Sequence, residues 1–132
     1  MVIQLLRSLL SEGNNTSPIF LHKSVLEKAI SLIDEHAEEI NKVEDITDKI
    51  GYNKLYFNRL FKDYVGVSIS KYVRKKKMEK AANFLMHTNY TIEKIAEMVG
   101  YVDMKSFYSA FKKEMNMSPG VYRSKLLGET KK

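Results

Sequence analysis

The sequence predicts an all-α fold, and three observations lead to that prediction. From Ser24 onward, apolar residues recur at helical spacing, and no segment alternates apolar and polar residues as a strand does. Cap residues and glycines divide this stretch into seven helices. A segment of 27 residues, 46–72, also occurs a second time, so the fold it forms is expected to be built twice.

The composition is that of a small globular protein. The chain has 132 residues, 44% hydrophobic and 29% charged, which suits one domain or two very small ones. Cysteine is absent, which excludes disulfides, Cys-ligated zinc or iron–sulfur sites and a cysteine nucleophile. No apolar run in this sequence approaches the roughly 20 residues that span a membrane, and no segment shows the charged-then-apolar pattern with a small-residue cleavage site that is typical of a signal sequence. We therefore expect a cytoplasmic protein.

The net charge of +6 is unevenly distributed. Residues 24–48 contain two basic and eight acidic side chains, whereas residues 49–80 contain ten basic and two acidic ones. A basic block favours a polyanion such as nucleic acid or an anionic membrane surface. A solvated helix face rich in lysine would have the same composition, so charge alone leaves both interpretations open.

The first elements are predicted from caps and spacing. Residues 2–10 are expected to form a short apolar helix, and residues 11–18 a polar linker. Ser24 and Glu27 form a capping box that starts the first long helix. Its apolar positions are Leu26, Ile30, Ile33, Ala37 and Ile40, and its other face carries most of the acidic block.

Six more helices follow. The first of them is a short helix that runs to about Ile50. The other five are predicted to start at the caps Asn53, Ser68, Thr91, Asp103 and Ser118. Pro119 follows Ser118 at the first position of the last helix. Their ends are expected at Gly51, Gly66, His87, Gly100, Asn116 and Gly128, after which a basic tail closes the chain.

The repeat relates residues 46–72 to residues 95–122. Ile46, Gly51 and Tyr52 match Ile95, Gly100 and Tyr101 at an offset of 49, and Phe57, Phe61, Lys62, Ser68 and Tyr72 match Phe107, Phe111, Lys112, Ser118 and Tyr122 at an offset of 50. Each copy consists of a helix, a tight glycine turn and a polar, basic second helix, which describes a helix-turn-helix. One such match is weak evidence, but two copies in register are strong evidence.

The second helix of each copy has two faces. The core face is predicted to contain Phe57, Leu60, Phe61 and Tyr64, then Phe107, Ala110, Phe111 and Met115. The opposite face carries Lys54, Leu55, Asn58, Arg59 and Lys62, then Met104, Lys105, Tyr108, Ser109 and Lys112. This second face is available to a partner.

Residues 92–123 contain the segments IEKIA, GYVDMKSF, FKK and SPGVYR in that order. With these motifs the sequence resembles the DNA-binding domain of the AraC/XylS family of bacterial transcription regulators, over about residues 22–126. The first copy fits the same pattern. It departs at Lys42, where the family often has a Ser or Thr cap, and Asn41 is the alternative cap.

The resemblance implies seven helices in two helix-turn-helix units. The first unit is residues 22–87, which includes the long linker helix 68–87, and the second is residues 88–127. The linker helix would be about 30 Å long, close to the roughly 34 Å between successive major-groove faces. Two recognition helices would then enter adjacent major grooves of an asymmetric double-stranded DNA site. The family also implies contact with RNA polymerase. We expect residues 1–21 to be the tail of a preceding domain, such as a dimerisation unit, residues 128–132 to be a basic tail, and the isolated domain to be a monomer.

The site residues follow from the match to the family's recognition helices. Base contacts are expected from Leu55, Asn58, Arg59, Met104, Lys105, Tyr108 and Ser109. Arg59 would pair with guanine, Asn58 with adenine and Leu55 with a thymine methyl group. Lys105 is the strongest candidate in the second helix. Phosphate contacts, which position without reading sequence, are expected from Tyr52, Asn53, Lys54, Lys62, Arg74, Lys76, Ser106 and Lys112.

Other classes of function are less well supported. His22, His36 and His87 lack metal-ligand spacing, and no phosphate loop, carboxylate pair or nucleophile motif occurs, so no cofactor, metal or enzyme activity is expected. The alternatives are a complete stand-alone regulator of the stress-response type, a helical protein-interaction module, and nonspecific nucleic-acid binding. The acidic segment 27–48 is expected to face away from DNA, as a partner surface or an ordinary solvated face.

Overall fold

The fold is all-α, as predicted. The computed structural model describes residues 21–131, with side chains for residues 21–125. The α-helices in this part of the chain are α1 Lys23–His36, α2 Glu44–Ile50, α3 Lys54–Val65, α4 Ile69–His87, α5 Ile92–Met98, α6 Met104–Met115 and α7 Pro119–Lys131, and a 3₁₀ turn, Ala37–Glu39, follows α1. None of these residues lies in a strand. The apolar helix and linker predicted for residues 2–18 lie outside the described residues.

The described residues form two compact units. The first contains residues 21–36 and 40–72, and the second contains residues 37–39 and 73–131. The linker helix α4 is shared, because its residues 69–72 cluster with the first unit and 73–87 with the second. None of the helices that the structure describes is long and apolar enough to cross a membrane.

Each unit has an aromatic core built on its repeat. In the first, the ring centroids of Phe57 and Phe61 lie 6.5 Å apart, and Tyr72 packs edge-on against Phe61 at 5.6 Å. In the second, Phe107 and Phe111 lie 6.0 Å apart, and Tyr122 packs against Phe111 at 5.5 Å. All four phenylalanines are fully buried. The predicted core faces of α3 and α6 are therefore confirmed, with Tyr64 and Met115 at their half-buried margins.

Five of the predicted side-chain caps are confirmed, those of α3 to α7. Asn53 accepts from the N–H of Tyr56 and Thr91 from that of Lys94, each at 3.0 Å. Asp103 accepts from the N–H groups of Lys105 and Ser106, Ser68 from that of Lys71 and Ser118 from that of Val121, all at 3.2 Å. These bonds satisfy N–H groups that have no partner inside the helix.

The start and end of α1 differ from the prediction. Ser24 is not an N-cap, since α1 begins at Lys23 and the N–H of Leu26 already bonds the carbonyl of His22 at 3.0 Å. Contacts of the His22 ring with distant tyrosines hold this earlier turn. The helix also ends at His36 rather than near Ile40, because residues 37–39 pack with the second unit before the chain returns to the first. Ala37 and Ile40 are nevertheless buried.

Two other local predictions were wrong. The Asn41 side chain does not cap α2. Instead the Asp45 carboxylate accepts from the backbone N–H groups of Asn41 at 2.7 Å and Lys42 at 3.1 Å, and these bonds lower the pKa of Asp45. Gly128 does not end the last helix, which continues to Lys131. A glycine inside a helix costs only about 1 kcal/mol relative to alanine, which does not by itself terminate a helix.

Candidate nucleic-acid interface

In the first unit, α3 turns a polar and basic stripe to solvent. Leu55 is 71% exposed, and Arg59 and Lys62 are exposed on the same side. These positions are three or four residues apart, so they lie above one another on the helix surface. They stand opposite the buried rings of Phe57 and Phe61. The structure therefore brings three of the predicted site residues together.

Asn58 lies on the same helix but has a partner inside the protein. Its side-chain Oδ1 accepts a hydrogen bond from the backbone N–H of Ile69 at 3.1 Å, and the residue is half-buried. Sequence reasoning assigned Asn58 to a base and did not identify this bond. The acceptor and donor are 11 residues apart across a turn, so no local cap pattern indicates it.

The residues leading into α3 are also engaged. The Tyr52 hydroxyl lies 2.6 Å from Nδ1 of His22, and the Tyr56 hydroxyl lies 3.4 Å from Nε2 of the same ring. Lys54 forms a 3.0 Å ion pair with Glu44, which lowers the pKa of Glu44. Tyr56, 39% exposed, was not among the predicted contacts. Its pairing with His22 spans 34 positions and leaves no sequence signal.

In the second unit, α6 presents the matching stripe. Lys105, Ser109 and Lys112 are exposed, and Tyr108 is 40% exposed with its ring edge-on to Phe107 at 6.4 Å. Met104 is half-buried and packs against the hydrophobic core of this unit. Four of the five predicted residues of this face therefore point outward, while most of the Met104 side chain is committed to the core.

The hydroxyl of Ser106 is used within the protein. It donates to Oδ2 of Asp103 at 2.6 Å, and this bond is the main cause of the lowered pKa of Asp103. A phosphate oxygen only accepts hydrogen bonds, so the Ser106 hydroxyl proton must leave Asp103 before it can bind one. Ser106 therefore contributes first of all to the start of α6.

A shallow cleft of about 440 Å³ lies beside α6. Its polar lining consists of Arg74, Tyr101, Lys105, Ser106, Ser109 and Lys113. Nε of Arg74 is 3.2 Å from a carboxylate oxygen of the mostly buried Glu114. Burial raises the pKa of Tyr101, so its phenol stays protonated and can donate. Lys113 was not predicted, although it is one and two turns beyond Ser109 and Lys105 on the same side of the helix.

The electrostatics of the two faces favour an anion. Five of their exposed cations take part in no ion pair among the side chains that the structure describes: Arg59, Lys62, Lys105, Lys112 and Lys113. Lys76, by contrast, pairs with Glu79 on its own helix at 3.5 Å and lies outside the cleft. Exposed cations beside neutral donors suit a ligand with many acceptor oxygens, such as a nucleic-acid backbone.

Comparison with known proteins agrees with this geometry. Residues 46–125 match a family described as a helix-turn-helix domain. The chain is 30% identical over 105 residues to the regulatory protein SoxS of Salmonella typhimurium, covering 80% of this chain and 98% of that protein. It is 32% identical over 103 residues to an uncharacterized HTH-type transcriptional regulator, YbfP, of Bacillus subtilis, covering 78% of this chain.

A solved structure is similar as well. The C-terminal domain of AraT, a response regulator from Geobacillus stearothermophilus, superimposes with a TM-score of 0.74 at 33% identity, covering 83% of this chain and 86% of that one. The lengths of the sequence relatives differ. The chain spans 35% of the length of YbfP but nearly all of SoxS.

Proposed function

The chain belongs to the AraC/XylS family of bacterial transcription regulators and contains that family's sequence-specific DNA-binding domain, and from this premise we propose that α3 and α6 are its two recognition helices. Each would enter one of two adjacent major grooves of an asymmetric site on double-stranded DNA. The observation that carries the proposal is the duplication, in which two aromatic cores hold two exposed stripes at matching positions.

The base-reading residues of the first unit would be Leu55 and Arg59. The Arg59 guanidinium offers two parallel donors, which match O6 and N7 of guanine in the major groove. Leu55, 71% exposed although apolar, suits a thymine methyl group. In the second unit Lys105, Tyr108 and Ser109 would face the bases, with Met104 adding apolar contact from its half-buried position.

The phosphate contacts would come from the remaining cations. Lys62 and Lys112 occupy the same position in the two copies, and both are exposed. Arg74 and Lys113 line the cleft beside α6. Lys54 and Lys76 would leave their ion pairs with Glu44 and Glu79 to bind phosphate groups. The three other predicted phosphate contacts would act chiefly by stabilising the starts of α3 and α6; they are Tyr52, Asn53 and Ser106.

Family membership supports three wider proposals. The protein would act in the cytoplasm without enzymatic activity, activate transcription by contacting RNA polymerase, and bind DNA through this domain as a monomer. The acidic segment 27–48 is one surface for a protein partner, although several of its carboxylates already accept hydrogen bonds within the protein. Glu27 and Asp34 each accept a 2.9 Å hydrogen bond, from the hydroxyls of Tyr64 and Tyr72 respectively.

Two measurements test the proposed DNA binding. Fluorescence anisotropy on a random duplex should show log K falling with log salt at a slope of about −3 to −5, since each neutralised phosphate contributes about −0.9. Selection from a random duplex library should return two preferred segments about one helical turn apart. A flat library with a normal salt slope would indicate nonspecific binding, and no salt-dependent binding would favour a protein-interaction module.

A further inference from the structure

The hydrogen bond of Asn58 satisfies the first turn of the linker helix. Ile69, whose N–H donates to Asn58 Oδ1 at 3.1 Å, is the first residue of α4 and has no exposed surface. The first N–H groups of a helix have no partner within the helix, and a buried N–H without a partner is costly. Asn58 therefore supplies the acceptor that the buried start of α4 requires.

The second copy has no such requirement. The residue that matches Ile69 is Pro119, which is the first residue of α7 and is also buried. Proline has no N–H, and its fixed φ suits the first position of a helix. The residue that matches Asn58 is Tyr108, which is 40% exposed. Donor and acceptor are thus present together in the first copy and absent together in the second.

Resting on the proposed function, we infer that Asn58 is a positioning residue that holds α3 against the start of α4, whereas its counterpart Tyr108 determines specificity at the DNA. Recognition of adenine by asparagine needs both its amide oxygen and its amide nitrogen turned toward the base. In Asn58 the oxygen is directed instead to Ile69. Base recognition by α3 then falls to Leu55 and Arg59.

A DNA-selection experiment on the 132-residue chain compares the two matched positions. Asn58→Ala should weaken binding to every duplex by the same factor, about two- to tenfold, and should leave the selected motif unchanged. Tyr108→Ala should flatten the preference at one or more positions of the second segment and leave exchange of the Ile69 amide unchanged. Arg59→Ala is the control for a base reader on α3, since it should relax one position of the first segment.

A measurement without DNA follows the hydrogen bond itself. In ¹⁵N-labelled protein, Asn58→Ala should speed exchange of the Ile69 amide by about tenfold or more relative to the other α4 amides. The midpoint of thermal unfolding should fall by roughly 5–10 °C. In an Ile69→Pro background, which removes the donor as Pro119 does, the same Asn58→Ala change should have almost no effect on the midpoint.

The outcomes separate this inference from the proposed function. A normal two-segment motif that loses one base preference in Asn58→Ala, with unchanged Ile69 exchange, would make Asn58 a base reader and overturn the inference alone. An unchanged motif in Tyr108→Ala would overturn its second half. If the unaltered chain selects no motif, both the inference and the proposed function fail. Should Ile69→Pro not fold, the amide-exchange result still decides the role of Asn58.

Discussion

The two helix-turn-helix units have similar cores but different outer faces. Their paired phenylalanines lie 6.5 Å and 6.0 Å apart, and the tyrosine behind each pair lies at 5.6 Å and 5.5 Å. On the outer face, Leu55, Arg59 and Asp63 of α3 correspond to Lys105, Ser109 and Lys113 of α6. The matched positions that form the two cores are alike, whereas several matched positions of the proposed DNA-facing stripes differ.

The divergence suggests a division of labour between the units. The first unit exposes the Arg59 guanidinium beside the apolar side chain of Leu55. The carboxylate of Asp63 on the same face would repel a phosphate group. The second places two lysines and Arg74 along one cleft, with serine where the first has arginine. The lysine ammonium is a compact charge that binds phosphate from many directions, whereas the planar arginine guanidinium donates two parallel hydrogen bonds in a fixed geometry. We expect the first unit to contribute more sequence preference and the second more salt-dependent affinity.

The largest predicted effect is on stability, and it compares Gly→Ala changes in the turns before α3 and α6. Gly51 and Gly100 have positive φ values of 73° and 94°, but only Gly100 lies against another backbone segment, where an added Cβ would collide with the carbonyl oxygen of Glu38. Gly100→Ala should lower the free energy of unfolding by about 2–5 kcal/mol and Gly51→Ala by about 1–2 kcal/mol. Urea unfolding of both variants measures this, and equal losses would show that the contact with Glu38 is unimportant.

The next comparison concerns base recognition by the two helices. Arg59→Ala should weaken binding to the selected site by about 1–3 kcal/mol and relax one base position. The matched change Ser109→Ala removes a much weaker donor and should cost less than about 1 kcal/mol. Competition binding against duplexes with each base pair changed in turn measures both effects. If Arg59→Ala weakens all duplexes equally, Arg59 is a phosphate contact.

Part of this site followed from sequence because the interactions are local. The caps Asn53 and Asp103 bond residues two or three positions ahead, and the core phases follow from helical spacing. The bonds of His22 to Tyr52 and Tyr56 and of Asn58 to Ile69 span 11 to 34 positions. They depend on how separate helices pack, which no local pattern encodes. Ser24 shows the converse, since a good local cap signal was overridden by the contacts of His22.

A smaller effect, on the salt dependence of DNA binding, should distinguish the matched residues Lys113 and Asp63. Lys113→Ala should reduce the salt slope of DNA binding by about 0.9, one phosphate contact, and leave the selected motif unchanged. Asp63→Ala removes a negative charge from the matching position of α3, so it should strengthen binding slightly at low salt. Anisotropy over a salt series measures both variants. An unaltered slope in Lys113→Ala would mean that the cleft does not hold a phosphate.

The smallest expected effect is a pH dependence confined to one of the two recognition-helix caps. Asp103 caps α6, and its hydrogen bonds with Ser106 and the backbone hold its pKa below the ordinary value of 3.8, whereas the matching first-unit position is occupied by an asparagine cap, which does not titrate. A carboxyl whose pKa is lowered in the folded state adds stability above its unfolded pKa and loses it as the pH falls through its folded pKa. The unaltered chain should therefore be more stable than Asp103→Asn at neutral pH, and the two thermal midpoints should converge as the pH falls from about 4 through the lowered folded-state pKa of Asp103. Asn53→Asp should introduce a weaker dependence into the first unit, because Tyr56 stands where the second unit has the Ser106 hydroxyl. A constant difference between the chain and Asp103→Asn over this range would show that the ionised form of Asp103 is not what stabilises α6.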